Sequence, residues 1–463
     1  MDTIVKGGTI VTPHEKYKAD IGIKDGKITS IASNLEANGA TVIDATGKLV
    51  MPGMIDAHVH LSLPFGGTVS SDTWQTGTRA AAAGGITTVV DFAIPRDRAD
   101  SLMETVNNRK AEAENDVYVD FALHGAITRW DEESRKEIGP LCKAGITTFK
   151  MFMVYRSIGW LSTDPMIVEA LEETKKHGGM VQVHAESVDL IDSLIENHSS
   201  PEEIKKHGAY LHTLTRPQAS EYEAIQRAIT WAEYTGGHLY IVHMSTKRGA
   251  EMVAEARKRG INVIGETCPQ YMHLDDSVFS QENGHYYATQ PQLKKPEDGE
   301  GLWNGLNSMA LSVVGTDTCT FNTEQKALWE GDFRKIPMGM PGSELMVSLI
   351  YEGVREGKLD LHRMVAVMSE NPAKVFGMYP KKGALLPGSD ADIMIFDPDK
   401  KYIVDFNQME TNCDWSPYQG KELTGFPTTT ILRGKIIAQD GKCVGDQGYG
   451  QFIKRGPSGN FVK

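Results

Sequence analysis

The 463-residue chain carries 61 acidic against 48 basic residues, a formal net charge of -13. With no basic run of five or more, that balance excludes a binder of nucleic-acid backbone or of anionic membrane surfaces. Its five cysteines are odd in number, far apart and without C-x-x-C spacing, which excludes a disulfide framework and points to reduced thiols in a cytoplasmic protein.

In chain order, the opening "MDTIVKGGTIVTPHEKYKAD" has neither a basic n-region nor a long apolar core, so no signal peptide is expected. No apolar run reaches the length of a membrane span. The first 52 residues read as short strands rich in Val, Ile and Thr, punctuated by Gly and Asp-Gly turns. The same texture returns in 377–446, as in "GALLPGSDADIMIFDP" and "TTTILRGKIIAQDGKCV". Two matching β segments around a different middle predict one discontinuous β-sandwich assembled from both ends.

The middle, 53–376, alternates apolar runs with helical patterns, the texture of parallel strands joined by crossovers. The predicted strands are "MIDAHVH", "TTVVDFA", "VYVDFALHG", "TTFKMFM", "MVQVHAE", "LYIVHMS", "INVIGETC" and "LSVVGTD". Helical stretches such as "TWQTGTRAAAAGG" and "KRGAEMVAEARKRG" lie between them and stop on Gly. Eight such units over roughly 320 residues match the count and size of a (β/α)8 TIM barrel with insertions. The tail 447–463 is basic yet carries Tyr449, Phe452 and Ile453.

Polar residues fall late in those strands, where a barrel gathers its active site. His58 and His60 end the first, Lys150 lies in the fourth and His184 ends the fifth, while His243 ends the sixth and Asp317 the eighth. His58 and His60 are two apart, so both side chains project to one face and suit one metal ion. A single strand-end histidine is more often structural than a ligand; four of them with an aspartate and a buried lysine reverse that weighting. The set favours zinc, with manganese, cobalt and iron left open. It is too many ligands for one open catalytic zinc and underfills two, unless a bridging carboxylate completes a two-metal site with ions about 3.5–4 Å apart. Lys150 can become that bridge: desolvation favours the neutral amine, and a neutral amine adds carbon dioxide to give an anionic carbamate. Otherwise Lys150 is an ordinary ion-pair or snorkelling lysine.

With "GMIDAHVHLSLPFGGTVSSDTWQTGTRAAAAGGITTVVDF", "FKMFMVY", "VHAES", "IVHMS", "GETCPQY", "GTDTCTF" and "NPAKVFGMYPKKGALLPGSDADIMIFDP", the chain resembles the hydantoinase/dihydropyrimidinase family of cyclic amidohydrolases over its whole length. The resemblance implies that His58, His60 and Asp317 hold one metal, and His184 and His243 the other. Carboxylated Lys150 and a hydroxide bridge the two. It implies that Tyr155 hydrogen-bonds the carbonyl under attack, that Asp317 moves the proton, and that the ring opens to an N-carbamoyl amino acid. Gln290 and Met338 match substrate-contact positions, and Trp160, in the loop "RSIGWLSTD", either presses on the ring substituent or packs its own loop. Similar tails reach across subunit boundaries, so a homotetramer, or a homodimer, is expected.

The chain departs from the family pattern in three places. Thr318 replaces a histidine, Met338 an asparagine, and Gln290 the serine of "SPPLR", here "QPQLK". Ser62 stands where dihydroorotases carry an arginine, which disfavours an anionic ring; an allantoinase-type activity shares the metal scheme. Non-catalytic assembly relatives have lost metal ligands, and this chain retains all six.

Overall fold

The computed structural model describes residues 1–459. All eight expected barrel strands form: β1 (Met54–Val59), β2 (Ile86–Ala93), β3 (Asp120–Ala126), β4 (Thr148–Phe152), β5 (Met180–His184), β6 (Leu239–Met244), β7 (Val263–Thr267) and β8 (Leu311–Val314). They pair in parallel, each with the next in sequence. Being covered on both faces, they are fully buried, and so their sequences read as unbroken apolar runs rather than alternations. Closure is made just past β8. Asp317 N donates to His58 O at 2.9 Å and His60 N to Thr318 O at 2.9 Å, so the seam of the barrel carries three of the expected metal ligands.

The β segments from the two ends merge. A seven-stranded sheet pairs Leu49–Pro52 antiparallel to Ile393–Ile403, which in turn pairs with Glu422–Leu432. A four-stranded sheet of N-terminal strands packs on it through Val5, Ile21, Ile23 and Ile28 against Ile10, Val50, Ile393, Ile395 and Ile431. That shared core is what makes one sandwich out of two distant segments.

Barrel and sandwich meet at a buried charge cluster. Lys382 is 1% exposed and its Nζ lies 2.5 Å from Asp120 at the start of β3, 2.6 Å from Asp392 and 2.9 Å from Asp390. Arg433 also pairs with Asp120. Although the three carboxylates cluster closely enough to hold a cation, the ammonium already compensates them. Lys382→Met should therefore cost about 3–5 kcal/mol, because it strands buried carboxylates without their partner. Urea unfolding measures this, and an unchanged midpoint would show that the cluster is not a stabilising lock.

The tail runs beneath the barrel floor of its own chain. Ile453 N donates to Phe121 O at 2.7 Å, Phe121 N to Gln451 O at 2.9 Å, and Ser458 Oγ lies 2.6 Å from Thr147 Oγ1. Phe452 packs on Phe121, and Ile453, Arg455 and Ser458 are buried there. Of the expected tail, 460–463 lies outside the described residues. No helix among the described residues is long and apolar enough to cross a membrane.

Candidate metal centre and substrate cavity

One cavity of about 60 Å³ collects nearly every residue expected in the site. His60, Lys150, Tyr155, Trp160, His184, His243, Gln290, Asp317 and Met338 all line it. His58 lies just beneath, fully buried. The cavity leads into a vestibule of about 1040 Å³, with which it shares Phe65, Tyr155, Trp160, Gln290 and Met338.

The donor atoms converge. Asp317 Oδ1 lies 3.1 Å from both His58 Nε2 and His60 Nε2, and the ligand atoms of these three residues all fall within 4.8 Å of one another. The His184 and His243 rings meet edge to face with centroids 4.5 Å apart, and His243 stands 5.3 Å from His58. His243 Nδ1 is buried with no hydrogen-bond partner, and such an orphaned nitrogen fits a set arranged to hold cations.

Carboxylates aim these imidazoles. Glu266, on β7, accepts from Tyr240 Oη at 2.7 Å and His243 N at 2.9 Å, and lies 2.7 Å from His58 Nδ1. With Nδ1 engaged, Nε2 is the atom His58 offers the cavity. Glu186 lies 2.7 Å from His184 Nε2 and so leaves that ring its Nδ1. Burial pushes His58 down, but Glu266 and Asp317 outweigh it and bring it up to about 9. Carboxylates that draw a proton to Nε2 would equally draw a cation. Burial opposes ionisation of Asp317, yet His58 and His60 overcome it and keep its carboxyl charged. His184 and His243 are pushed down, chiefly by burial, which suits neutral ligand imidazoles.

Lys150 is 2% exposed, in the middle of β4, with its Nζ 5.2 Å from the Phe92 ring centroid and 5.5 Å from that of Phe152. Burial lowers its ammonium to about 8, against an upward pull from Asp317 and Glu266. No carboxylate among the described residues lies within ion-pair distance of its Nζ. Burial raises the Tyr155 phenol well above its usual range, so it stays a hydrogen-bond donor.

Three of the expected residues occupy left-handed backbone: Tyr155 at φ 66°, His243 at φ 38° and Asp317 at φ 54°. Non-glycine residues are held there only when their surroundings over-determine them, and such strain concentrates at functional sites. Asp317 accordingly lies beyond the end of β8 rather than within it, swung into the cavity mouth.

Sequence reading misses the supporting residues. Glu266 and Glu186 are fully buried acids inside or just after strand patterns, the same signal that singles out Lys150. Lys326 has no such signal. It is fully buried, and its Nζ donates to Pro337 O at 2.7 Å and Gly339 O at 2.8 Å, pinning the backbone on either side of Met338.

Residues 49–437 match the model of the Amidohydrolase family. The chain belongs to the amidohydrolase family. It is 40% identical to D-hydantoinase of Geobacillus stearothermophilus, over 100% of this chain and 98% of that one. It is 37% identical to dihydropyrimidinase of Rattus norvegicus, over 99% of this chain and 90% of that one. The crystal structure of dihydropyrimidinase from Brevibacillus agri NCHU1002 superposes with a TM-score of 0.95 at 36% identity, covering 99% of each chain. Amidohydrolase membership implies a divalent-metal centre, and His58, His60 and Asp317 form a metal-capable group at the place where this chain would hold one.

Proposed function

We propose that this chain opens a hydantoin or dihydropyrimidine ring by metal-dependent hydrolysis of a cyclic amide, giving an N-carbamoyl amino acid. The observation that carries the reading is the convergence of His60, His184, His243, Asp317, Tyr155 and an unpaired buried lysine on one cavity, with His58 against Asp317 just beneath it. The D-hydantoinase and dihydropyrimidinase relatives, matched along the whole chain, support the substrate class.

The proposed ligands are His58, His60 and Asp317 for one ion, His184 and His243 for a second, and carboxylated Lys150 for both. The imidazole-rich set favours zinc. Bound ions would supply Lewis acidity and lower the pKa of water so that it attacks near neutral pH. Asp317, kept ionised by its two histidines, accepts the proton of the attacking water and returns it to the departing ring nitrogen. Tyr155, kept protonated, donates to the carbonyl oxygen as charge builds there. Phe65, Trp160 and Met338 line the cavity where it opens to the vestibule, the place a ring substituent would occupy.

Met338 lacks the amide that the family's asparagine offers, so ring contacts at 337–339 come from the backbone that Lys326 pins. Met338→Asn should reorder the ring substrates, measured as kcat/KM across the panel below, with metal content unchanged. Equal losses for every ring would indicate a folding defect instead. The test of the function is turnover by the purified protein of dihydrouracil, dihydrothymine, both enantiomers of 5-substituted hydantoins, allantoin and dihydroorotate. Ring opening of a dihydropyrimidine or of at least one hydantoin enantiomer, with none of allantoin or dihydroorotate, supports the reading, and turnover of allantoin alone would replace it.

We further propose the division into 1–52 and 377–446 as sandwich, 53–376 as catalytic barrel, and 447–463 as an oligomerisation tail at an interface of a homotetramer. Deleting 447–463 should lower the oligomeric state seen by light scattering, and an unchanged tetramer would retire the tail's role. The five unpaired cysteines support a cytoplasmic location.

A further inference from the structure

The side chain of Gln290 stands between the Tyr155 hydroxyl and the Arg216 guanidinium. A guanidinium has only donors, so the amide oxygen must face Arg216 and the amide nitrogen Tyr155. In that orientation the nitrogen lies 2.5 Å from Tyr155 Oη, and the oxygen lies 2.5 Å from Arg216 Nη2 and 3.3 Å from its Nε. Arg216 cannot swing away. It is 6% exposed, its Nη1 lies 2.9 Å from Glu186 Oε2, and its carbonyl accepts from Lys294 Nζ at 2.7 Å.

The Tyr155 ring is equally fixed, with Phe152, Trp160 and Phe65 at centroid distances of 5.7, 5.9 and 6.1 Å. Rotation of its hydrogen about the C–O bond is the one freedom left. We propose that Gln290 is a positioning residue for Tyr155. Its N–H donates into one side of the phenol oxygen and thereby turns the phenol hydrogen to the other side, into the substrate cavity. The inference rests on the donor role proposed for Tyr155. It gives the departure from the family's serine a purpose: the amide supplies from a side chain an orientation that a serine at this position is too short to impose.

Gln290→Glu tests this, because it is isosteric and keeps Arg216 paired but presents only acceptors to Tyr155. The phenol hydrogen then turns to the carboxylate and away from the carbonyl. For dihydrouracil and unsubstituted hydantoin, kcat should fall about 100-fold, as for loss of one oxyanion donor. KM should stay within about threefold, since the interaction is made in the transition state. Melting temperature and metal content should hold. In a Tyr155→Phe background the same substitution should cost nothing further. Wild-type kcat in Gln290→Glu, an equal loss in both backgrounds, or a loss of metal traceable to His184 would each overturn the proposal. A fully active Tyr155→Phe would sink the Tyr155 reading and this inference with it. A crippled Tyr155→Phe beside an unimpaired Gln290→Glu would sink this inference alone.

Discussion

Asp317→Asn should lose about 10⁴-fold in kcat, the upper end of what a positioned acid–base group contributes. Asparagine keeps the shape and one ligating oxygen, so the 3.1 Å approaches to His58 and His60 can persist. What disappears is a carboxylate able to take a proton from water and hand it to the ring nitrogen. Steady-state kinetics with metal analysis on the same sample separates the two roles. A loss below tenfold with full metal would remove Asp317 from proton transfer.

Lys150→Ala should empty the centre as well as stop turnover, because both ions are proposed to share that residue. Loss alone does not discriminate, since truncating a fully buried side chain also destabilises a fold, by about 2–5 kcal/mol. Rescue does. The truncated side chain leaves room beside Phe92 and Phe152 for acetate or propionate, whose carboxylate can stand in for a carbamate. Short acids with added divalent metal should restore part of the activity of Lys150→Ala and none of that of Lys150→Arg, whose guanidinium stays charged and forms no carbamate. An alanine variant holding two ions without added acid would contradict the bridge.

The barrel is legible in the sequence because parallel, doubly covered strands leave apolar runs, and a lysine or histidine inside such a run stands out. Lys150 in "TTFKMFM" and the pair in "MIDAHVH" are visible for that reason. The discontinuous sandwich is legible from the return of one texture at both ends. Partnerships are not legible, since nothing local ties His58 to Glu266 or Lys382 to Asp120, groups brought together only by barrel closure and by docking of the sandwich. Nor does a local pattern announce the left-handed backbone of His243 and Asp317, which the surrounding packing imposes. Gln290 is noticed only as a departure from a family pattern, while its contact with Tyr155 depends on Arg216 being fixed by Glu186. The tail's apolar residues stand out in the sequence, whereas their burial beneath the barrel floor of the same chain does not.

Metal stoichiometry and ring opening, measured on one preparation before and after chelation, decide whether this chain is a two-metal ring hydrolase. Two divalent ions per chain are expected, with conversion of dihydrouracil or a 5-substituted hydantoin to its N-carbamoyl product, loss of that conversion on chelation and its return with zinc. A protein that binds no divalent metal, or that holds two ions and opens none of these rings, would contradict that reading.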